Sequence, residues 1–103
     1  MLWSDRIGRR IKLRDLHILQ AAVEAGSMAK AATALAISQP AVSYAVAEME
    51  HALGVPLLDR TSQGVTPTAY GRALLERSVV VFNELRQGIA DRRGSEGADT
   101  VPR

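Results

Sequence analysis

The side chains best suited to selective recognition lie between Gln39 and His51, where polar groups recur at helical spacing. If this segment is a helix, its apolar stripe faces inward through Val42, Val46, Met49 and Leu53. The opposite face then carries Pro40, Ser43, Tyr44, Ala47 and His51. These side chains are small or can form selective hydrogen bonds, and none of them is Lys, Arg, Asp or Glu. The face therefore suits close contact with another surface better than exposure to water.

Gln39, at the N-terminal end of the same helix, adds an amide that can donate to and accept from a single partner. A Gln amide pairs in this way with N6 and N7 of adenine in the major groove of DNA. A short helix, a turn and a second helix with Gln and Ser at its exposed N-terminal end fit major-groove reading, because only the first turns reach the base edges. On this pattern alone, a second interpretation stays open, in which the helix only packs in a small bundle.

The residues that could support catalysis or bind a metal are few and scattered. His17 and His51 are the two histidines, they are far apart in the sequence, and the chain has no Cys. We therefore expect neither a metal site nor another cofactor. No nucleophile elbow or glycine-rich loop accompanies a Ser, His and acid set, and Ser38 and Ser43 are better explained as a helix cap and a contact residue. The sequence predicts that the protein is not an enzyme.

Length and composition limit the chain to one small helical domain. It has 103 residues, 47% of them hydrophobic and only 4% aromatic, which is typical of close-packed helices. No stretch approaches the roughly 18–20 apolar residues of a membrane helix, and the absence of Cys fits a reducing compartment, so we expect a cytoplasmic location. The net charge of +2 argues only weakly for a polyanionic partner.

Capping signals predict three helices in the first half of the chain. Gly26 and Gly54 can adopt the left-handed conformation that ends a helix, and Ser27 and Ser38 can accept N-cap hydrogen bonds. The resulting helices cover Leu13 to Ala25, Met28 to Leu35 and Ser38 to Leu53. For the first helix we expect a buried stripe at helical spacing, made of Leu13, Leu16, Leu19 and Val23.

A hairpin and a long helix follow the three helices. Leu57-Leu58 and Val65-Thr66 resemble short strands around a polar tip from Asp59 to Gly64. Thr68 can cap a last helix that runs from Ala69 to about Arg93. Its broad apolar face exceeds what one small domain can cover, so the helix needs a second partner.

The aromatic residues and the two ends of the chain allow further predictions. Tyr70 and Phe82 lie on the last helix, and we expect both in the core.

Residues 1–12 show no periodicity and contain most of a basic cluster that is either a phosphate-binding arm or a solvated tail. The cluster consists of Arg6, Arg9, Arg10, Lys12 and Arg14. Residues 94–103 are rich in Gly, Ser, Asp and Pro, and we expect them to be disordered.

A series of short motifs follows one another along the chain. They are Ala25-Gly26-Ser27, Lys30-Ala31-Ala32, Leu35, Ile37-Ser38-Gln39-Pro40-Ala41-Val42-Ser43, Met49-Glu50, Leu53-Gly54-Val55, Leu58-Asp59-Arg60, and Thr68 with Gly71. With these motifs in family order and without a gap, Leu13 to Leu75 resembles the N-terminal domain of LysR-type transcriptional regulators. The resemblance implies a mainly α, winged helix-turn-helix fold over residues 13–67. Residues 68–93 would be a linker helix that pairs antiparallel with its copy in a homodimer. A full-length form could also assemble into tetramers.

The resemblance also implies roles for individual residues. Base contacts would come from Gln39, Pro40, Ser43 and Tyr44. Contacts to the DNA backbone would come from Ser38, Lys30, Ser27 and Thr61, and Arg60 would reach from the wing toward the minor groove. The dimerisation residues would be Leu74, Leu75, Val79, Val81, Phe82, Leu85 and Ile89. The partner would be double-stranded DNA with a pseudo-palindromic, A/T-rich operator.

Two features depart from the family pattern. Tyr44 stands where the family usually has Arg, so a ring and a hydroxyl replace the guanidinium that grips guanine, which favours stacking or contact with a thymine methyl group. The larger C-terminal domain that binds a small inducer in the family is not in this sequence, so we expect no effector site here. The other hypothesis is a protein-interaction module that pairs with another regulator through Ala69 to Arg93, and the low charge from Ser27 to Leu58 favours it.

Overall fold

The computed structural model describes residues 11–94, and the side chains of residues 11–91. Its elements are α1 (Leu13–Ala25), α2 (Met28–Leu35), α3 (Gln39–Leu53), β1 (Leu58–Thr61), β2 (Gly64–Pro67) and α4 (Ala69–Gly94). The prediction of a mainly α chain with three helices, a hairpin and a long last helix is confirmed. The predictions for the basic segment before Ile11 and for the tail after Gly94 fall outside the described residues.

Four of the six ends of the first three helices are set by the residues expected to cap them. Ser27 Oγ accepts a hydrogen bond of 2.9 Å from the Lys30 backbone N–H, and Ser38 Oγ accepts one of 3.1 Å from the Ala41 N–H. Left-handed glycines end α1 and α3, with φ angles of 75° at Gly26 and 74° at Gly54. Both kinds of cap prediction are confirmed, because each side chain or backbone conformation satisfies groups that a helix end leaves unpaired.

The turn between α2 and α3 depends on a residue that is not glycine. Ala36 has φ 59° and ψ 41°, a left-handed conformation, and it ends α2. The next residue closes the turn, since the Ile37 N–H donates to the Ala32 carbonyl at 3.0 Å. A Cβ in this conformation costs energy that glycine would not pay. This tight turn sets the angle between the two helices of the helix-turn-helix.

The core lies between α1, α2 and α3. Val42, Val46 and Met49 of α3 are fully buried, and Leu53 is half-buried against them, which confirms the stripe predicted for this helix. From α2, Met28, Ala31 and Ala32 are buried. Small side chains at these positions let the helices approach closely, as the Ala-rich composition indicated.

The predicted stripe of α1 was wrong at its first residue. Leu13 is 47% exposed, and the buried residues of this helix are Asp15, Ile18, Leu19 and Ala22. The buried set follows the spacing i, i+3, i+4, i+7, so on a helical wheel Leu13 lies nearly opposite its centre. The Asp15 carboxylate accepts the Lys12 backbone N–H at 3.2 Å, which explains how an acidic residue occupies a buried position in the first turn.

The hairpin is longer in its strands and shorter at its tip than predicted. The strands pair antiparallel from Leu58↔Pro67 to Thr61↔Gly64, so only Ser62 and Gln63 remain between them. Asp59 and Arg60 are therefore strand residues, not tip residues. The tight connection is stabilised because Thr61 Oγ1 accepts the Gln63 N–H at 3.1 Å.

The hairpin is fixed to the helices through both strands. One Glu50 carboxylate oxygen accepts the backbone N–H groups of Leu57 and Leu58, at 2.7 and 3.2 Å. On the second strand, the Val65 N–H donates to the Gly26 carbonyl at 3.0 Å. Charge-assisted bonds of the first kind are stronger than neutral ones. The hairpin therefore has a defined position relative to α1 and α3.

The start of α4 is held against the segment before β1. Thr68 Oγ1 donates to the Pro56 carbonyl at 2.7 Å and accepts the Gly71 N–H at 3.0 Å. The backbones are so close that a Cβ added at Gly71 would lie 2.1 Å from the Leu57 carbonyl oxygen. Thr68 is the predicted cap. The pairing of Thr68 with Gly71 in the sequence motif is explained by this hydrogen bond and by the close approach to Leu57.

The long helix α4 leaves the core after its first turns. Ser78 is 1% exposed and donates to the Leu75 carbonyl, whereas the side chains from Asn83 to Asp91 are exposed. At 1.5 Å per residue, 26 residues span about 39 Å. Tyr70 was predicted to be buried but is 57% exposed, because the face of α4 that meets Leu57 is that of the neighbouring Gly71. Within residues 11–94, no helix is long and apolar enough to cross a membrane.

Candidate nucleic-acid interface

The outer face of α3 is exposed as the helical wheel predicted. Tyr44 is 68% exposed, Pro40, Ala47 and His51 are also exposed, and Ser43 is half-buried at the edge of this face. Gln39, the first residue of the helix, is exposed. The structure therefore brings the four predicted base-contacting residues together, in the first two turns of one helix. A surface of this kind can enter a groove without first displacing charged side chains.

The hydroxyl groups of Ser27 and Ser38 cap helix starts and still have a hydrogen atom to donate. Ser27 Oγ and Ser38 Oγ each accept a backbone N–H. A serine hydroxyl has one hydrogen besides its acceptor lone pairs, so each cap can still donate to an external oxygen atom. The Lys30 side chain is exposed in the first turn of α2. Ser27 and Lys30 thus offer donors at the start of α2, and Ser38 offers one at the start of α3.

The β1–β2 hairpin is the wing of the fold, and it carries Arg60, whose side chain is exposed. Because neighbouring residues of a strand point to opposite faces, Arg60 shares a face with Val65, its partner across the hairpin, and Asp59 lies on the other face. Thr61, the fourth residue predicted to contact the DNA backbone, is already engaged. Its hydroxyl accepts the Gln63 N–H and donates to the Gly64 carbonyl at 3.4 Å, a long bond that is weak.

The two flanks of α3 face different parts of the fold. On one flank, Glu50 binds the backbone at the start of β1. On the other, Tyr44 lines a concave surface with the first residues of α1, and this surface is lined by Lys12, Arg14, Asp15, Ala41, Tyr44, Ala45 and Glu48. By the wheel, Gln39 and Ser43 lie toward the hairpin flank and Tyr44 toward the α1 flank. Sequence reasoning left Lys12 and Arg14 in an unassigned basic cluster, and only the packing of α1 against α3 identifies their position.

The residues predicted to mediate dimerisation fall into two groups. Leu74 and Leu75 are half-buried against the core of their own chain, and the Phe82 ring meets His17 edge-on with centroids 6.2 Å apart. The second group is exposed by 39–55% of its surface: Val79, Val81, Leu85 and Ile89. Val80 is 53% exposed as well and was not among the predicted residues, although a run of three valines on a helix surface is a signal that could have identified it as an exposed apolar side chain.

Glu50 and Gly71 are structural residues that the motifs contained without an assigned role. Glu50 ties α3 to the hairpin, and Gly71 lets α4 approach Leu57. Both fix the positions of elements around α3.

His17 and His51 are both exposed and lie on different helices. Among the described residues there is no group of three or more His, Cys, Asp or Glu that could hold a metal ion.

Comparison with protein families decides which group the chain represents. Residues 13–72 match the model of the bacterial regulatory helix-turn-helix protein, lysR family. The chain belongs to the LysR family. The resemblance stated from the sequence motifs is thereby confirmed.

The curated relatives that the chain matches are longer transcriptional regulators. It is 40% identical over 77 residues to an uncharacterized HTH-type transcriptional regulator, y4mQ of Sinorhizobium fredii, covering 75% of this chain and 26% of that protein. It is 34% identical over 96 residues to the HTH-type transcriptional regulator PcaQ of Agrobacterium fabrum, covering 93% of this chain and 30% of that protein. The chain thus spans between a quarter and a third of the length of these LysR-family relatives.

Solved structures with the same fold include domains bound to DNA. The CbnR_DBD structure in complex with DNA has a TM-score of 0.73 and 37% identity, covering 84% of this chain and 98% of that one. The BenM_DBD complex with catB site 1 DNA has a TM-score of 0.80 and 29% identity, covering 86% of this chain and 99% of that one. The predicted winged helix-turn-helix fold is confirmed by these similarities.

Proposed function

We propose that the chain is the DNA-binding part of a bacterial transcriptional regulator and that it binds double-stranded DNA with α3 in the major groove. The observation that carries this proposal is the exposed, uncharged outer face in the first turns of α3. Two further facts support it: the same fold is found in domains solved with DNA, and the relatives are transcriptional regulators. The protein would act in the cytoplasm and would have no catalytic function.

Sequence reading would come from four residues of α3. The Gln39 amide is exposed and can pair with adenine, and Tyr44 offers a ring edge and hydroxyl to a thymine methyl group or a neighbouring base. Pro40 and Ser43 lie between them on the wheel, where small side chains allow the helix backbone to approach the base edges. This set favours A/T-rich half-sites over G/C-rich ones.

Anchoring would come from residues around α3 that contact the phosphate backbone. Lys30 contributes a charge, Ser27 and Ser38 contribute hydroxyl donors, and Thr61 contributes a hydroxyl whose present bond of 3.4 Å is easily exchanged. Arg60 would enter the minor groove from the wing. The phosphate contacts position the protein but carry no sequence information, whereas an arginine in the minor groove favours the narrow groove of A/T-rich DNA.

Dimerisation would use the exposed apolar surface of α4. Val79, Val81, Leu85 and Ile89 are exposed although they are apolar, and covering such a patch is favourable by about 25 cal/mol per Å² of apolar surface. Antiparallel pairing with a second copy would bury this surface and link two reading helices. Leu74, Leu75 and Phe82 would support the interface from the side of the core.

The test is a binding-site selection from a pool of randomised duplexes, using the whole chain. We expect enrichment of two related half-sites in pseudo-palindromic order, and tighter binding of the selected duplex than of a scrambled duplex of the same length and composition. No enrichment would contradict the proposal. It would favour the alternative, a module that uses the α4 surface to pair with another regulator without binding DNA.

A further inference from the structure

The start of α1 lies beside the reading helix on the side away from the hairpin. Lys12 and Arg14 line one wall of the concave surface described above, and Tyr44 lines the other. This surface has a volume of about 320 Å³. Two cations therefore border the face of α3 that meets DNA in the proposed function.

The two charged side chains of this surface that are exposed are positive. Lys12 and Arg14 are both exposed, whereas Asp15 is only 8% exposed and its carboxylate is engaged by the Lys12 backbone N–H. Glu48, on α3, is half-buried. A ligand that approached Tyr44 along this wall would meet the ammonium and guanidinium groups first, so the surface suits an anion.

The stability of α1 does not explain why cations stand at its start. The N-terminal end of a helix carries partial positive charge, so acidic residues stabilise it and basic residues are unfavourable there. Asp15 supplies the stabilising charge in the first turn of α1. Lys12 is the N-cap and Arg14 lies in the same turn, and their placement against the dipole is accounted for when an anion binds at this position.

The geometry of α3 indicates where that anion lies. A helix in the major groove has one phosphate backbone on each side, since the groove is about 12 Å wide. Glu50 marks the flank of α3 that faces the hairpin, which carries Arg60. Tyr44 marks the opposite flank, which faces Lys12 and Arg14. The two cations are thus on the side of the groove that the wing does not reach.

We propose that Lys12 and Arg14 bind DNA phosphates on the Tyr44 side of the major groove, so that each chain grips both backbones that border its half-site. This inference rests on the proposed function, because it requires α3 to enter the groove. It assigns the last two residues of the basic cluster to phosphate binding.

The experiment compares salt dependence between the unmutated chain and the double variant Lys12→Gln, Arg14→Gln. Fluorescence anisotropy would be measured over a range of KCl concentrations, with the selected duplex and with random duplex. If Lys12, Arg14, Lys30 and Arg60 each neutralise one phosphate charge, a dimer should give a log–log slope of about −7, and the double variant about −4. The affinity of the variant should fall at least about tenfold at 0.1 M salt, and equally on both duplexes.

A matched control removes the same charge elsewhere. Arg72 and Arg86 are exposed on α4 and line clefts shared with Gln20 and Glu24 of α1, outside the concave surface. The double variant Arg72→Gln, Arg86→Gln should keep a slope of about −7. Circular dichroism and sedimentation would show that both variants remain folded and keep the oligomeric state of the unmutated chain.

The possible failures are distinguishable. If the unmutated chain binds the selected duplex and the double variant has the same slope and affinity, the phosphate contacts are refuted and the proposed function stands. A loss restricted to the selected duplex would also refute them, because it would indicate base reading. If the unmutated chain binds no duplex, the proposed function fails, and this inference fails with it.

Discussion

At the residue scale, the proposed base preference centres on Tyr44. It is the large side chain on the outer face of α3 and is 68% exposed. A phenol ring cannot form the two parallel hydrogen bonds with which an arginine fork recognises guanine. In the proposed function, this one side chain would therefore favour thymine at the base pair it meets.

Tyr44→Arg should move that preference from thymine to guanine at one position of each half-site. A bidentate pair with guanine is worth about 1–3 kcal/mol of discrimination, which corresponds to roughly fivefold to more than a hundredfold in relative affinity. Competition between duplexes that differ only at single positions would locate the change. A uniform gain on all duplexes would indicate that residue 44 contacts phosphate and not a base.

Gly71 tests whether the close approach of α4 to Leu57 is required. Gly71→Ala places a Cβ 2.1 Å from a carbonyl oxygen, so the backbone must move, and we expect a loss of about 1–3 kcal/mol in the free energy of unfolding. Gly88→Ala is the control, because a Cβ there meets nothing within 4 Å and should stabilise the helix by about 0.5–1 kcal/mol. Equal effects in urea unfolding would contradict the packing described.

The sequence predicted the wheel of α3 well and the burial of single residues elsewhere less well. The α3 stripe consists of large apolar residues, so its period is visible. In α1 the buried face includes Asp15, which is charged, and Ala22, which is small, so neither stands out in an apolar pattern. Leu13 is large and apolar but exposed. Tyr70 was misplaced for a similar reason, because which face of α4 packs is decided by the absence of a side chain at Gly71.

At the element scale, the angle between α2 and α3 depends on a left-handed alanine. Ala36 has φ 59° and is exposed, so its methyl group adds strain without a compensating buried contact. The helices on either side were predicted to within one residue, because Ser27 and Ser38 are strong N-cap residues. The left-handed turn was not predicted, because sequence signals for this conformation rely on Gly or Asn.

Replacing Ala36 with Gly should therefore stabilise the protein. We expect a gain of about 0.5–1 kcal/mol in the free energy of unfolding, the strain relieved minus the greater chain entropy of Gly. Ala34→Gly, in an exposed position of α2, should instead cost about 1 kcal/mol. Unfolding would be measured at one fixed protein concentration, because the proposed dimerisation would make stability depend on it. A loss of stability in Ala36→Gly would contradict a strained turn.

The register of the hairpin was the least predictable element. The polar run from Asp59 to Gly64 suggested a long tip, whereas Asp59, Arg60 and Thr61 are paired in β1. What fixes the register is non-local, since Glu50 holds Leu57 and Leu58, and the Gly26 carbonyl accepts the Val65 N–H. Contacts between residues this far apart in sequence are not visible in a local pattern.

At the scale of the whole molecule, α4 carries more apolar surface than its own chain covers. Val80 and Ile89 are 53% and 55% exposed, whereas Phe82 contacts His17 within the chain. The sequence predicted that this helix needs a partner, but could not separate the residues that pack against the core from those proposed to contact a second copy. The separation depends on where α1 ends its contact with α4.

Ile89→Asp should abolish dimerisation and leave the fold intact. A carboxylate buried without a partner costs several kcal/mol at an interface, and Ile89 makes no contribution to the core of its own chain. Sedimentation should show a monomer with unchanged circular dichroism. A variant that remains dimeric, or an unmutated chain that is monomeric at high concentration, would exclude pairing through this part of α4.

The central claim is that α3 reads base edges while the residues around it only anchor the protein, and Gln39→Ala compared with Lys30→Ala tests it most directly. Both side chains are exposed, and Lys30→Ala keeps the backbone N–H that Ser27 caps. Affinities would be measured at one salt concentration for the selected and random duplexes. We predict that Gln39→Ala loses about 1–3 kcal/mol on the selected duplex and little on the random one, whereas Lys30→Ala weakens both alike. If both variants lower binding to the two duplexes by the same factor, α3 is not the reading element and the account is contradicted.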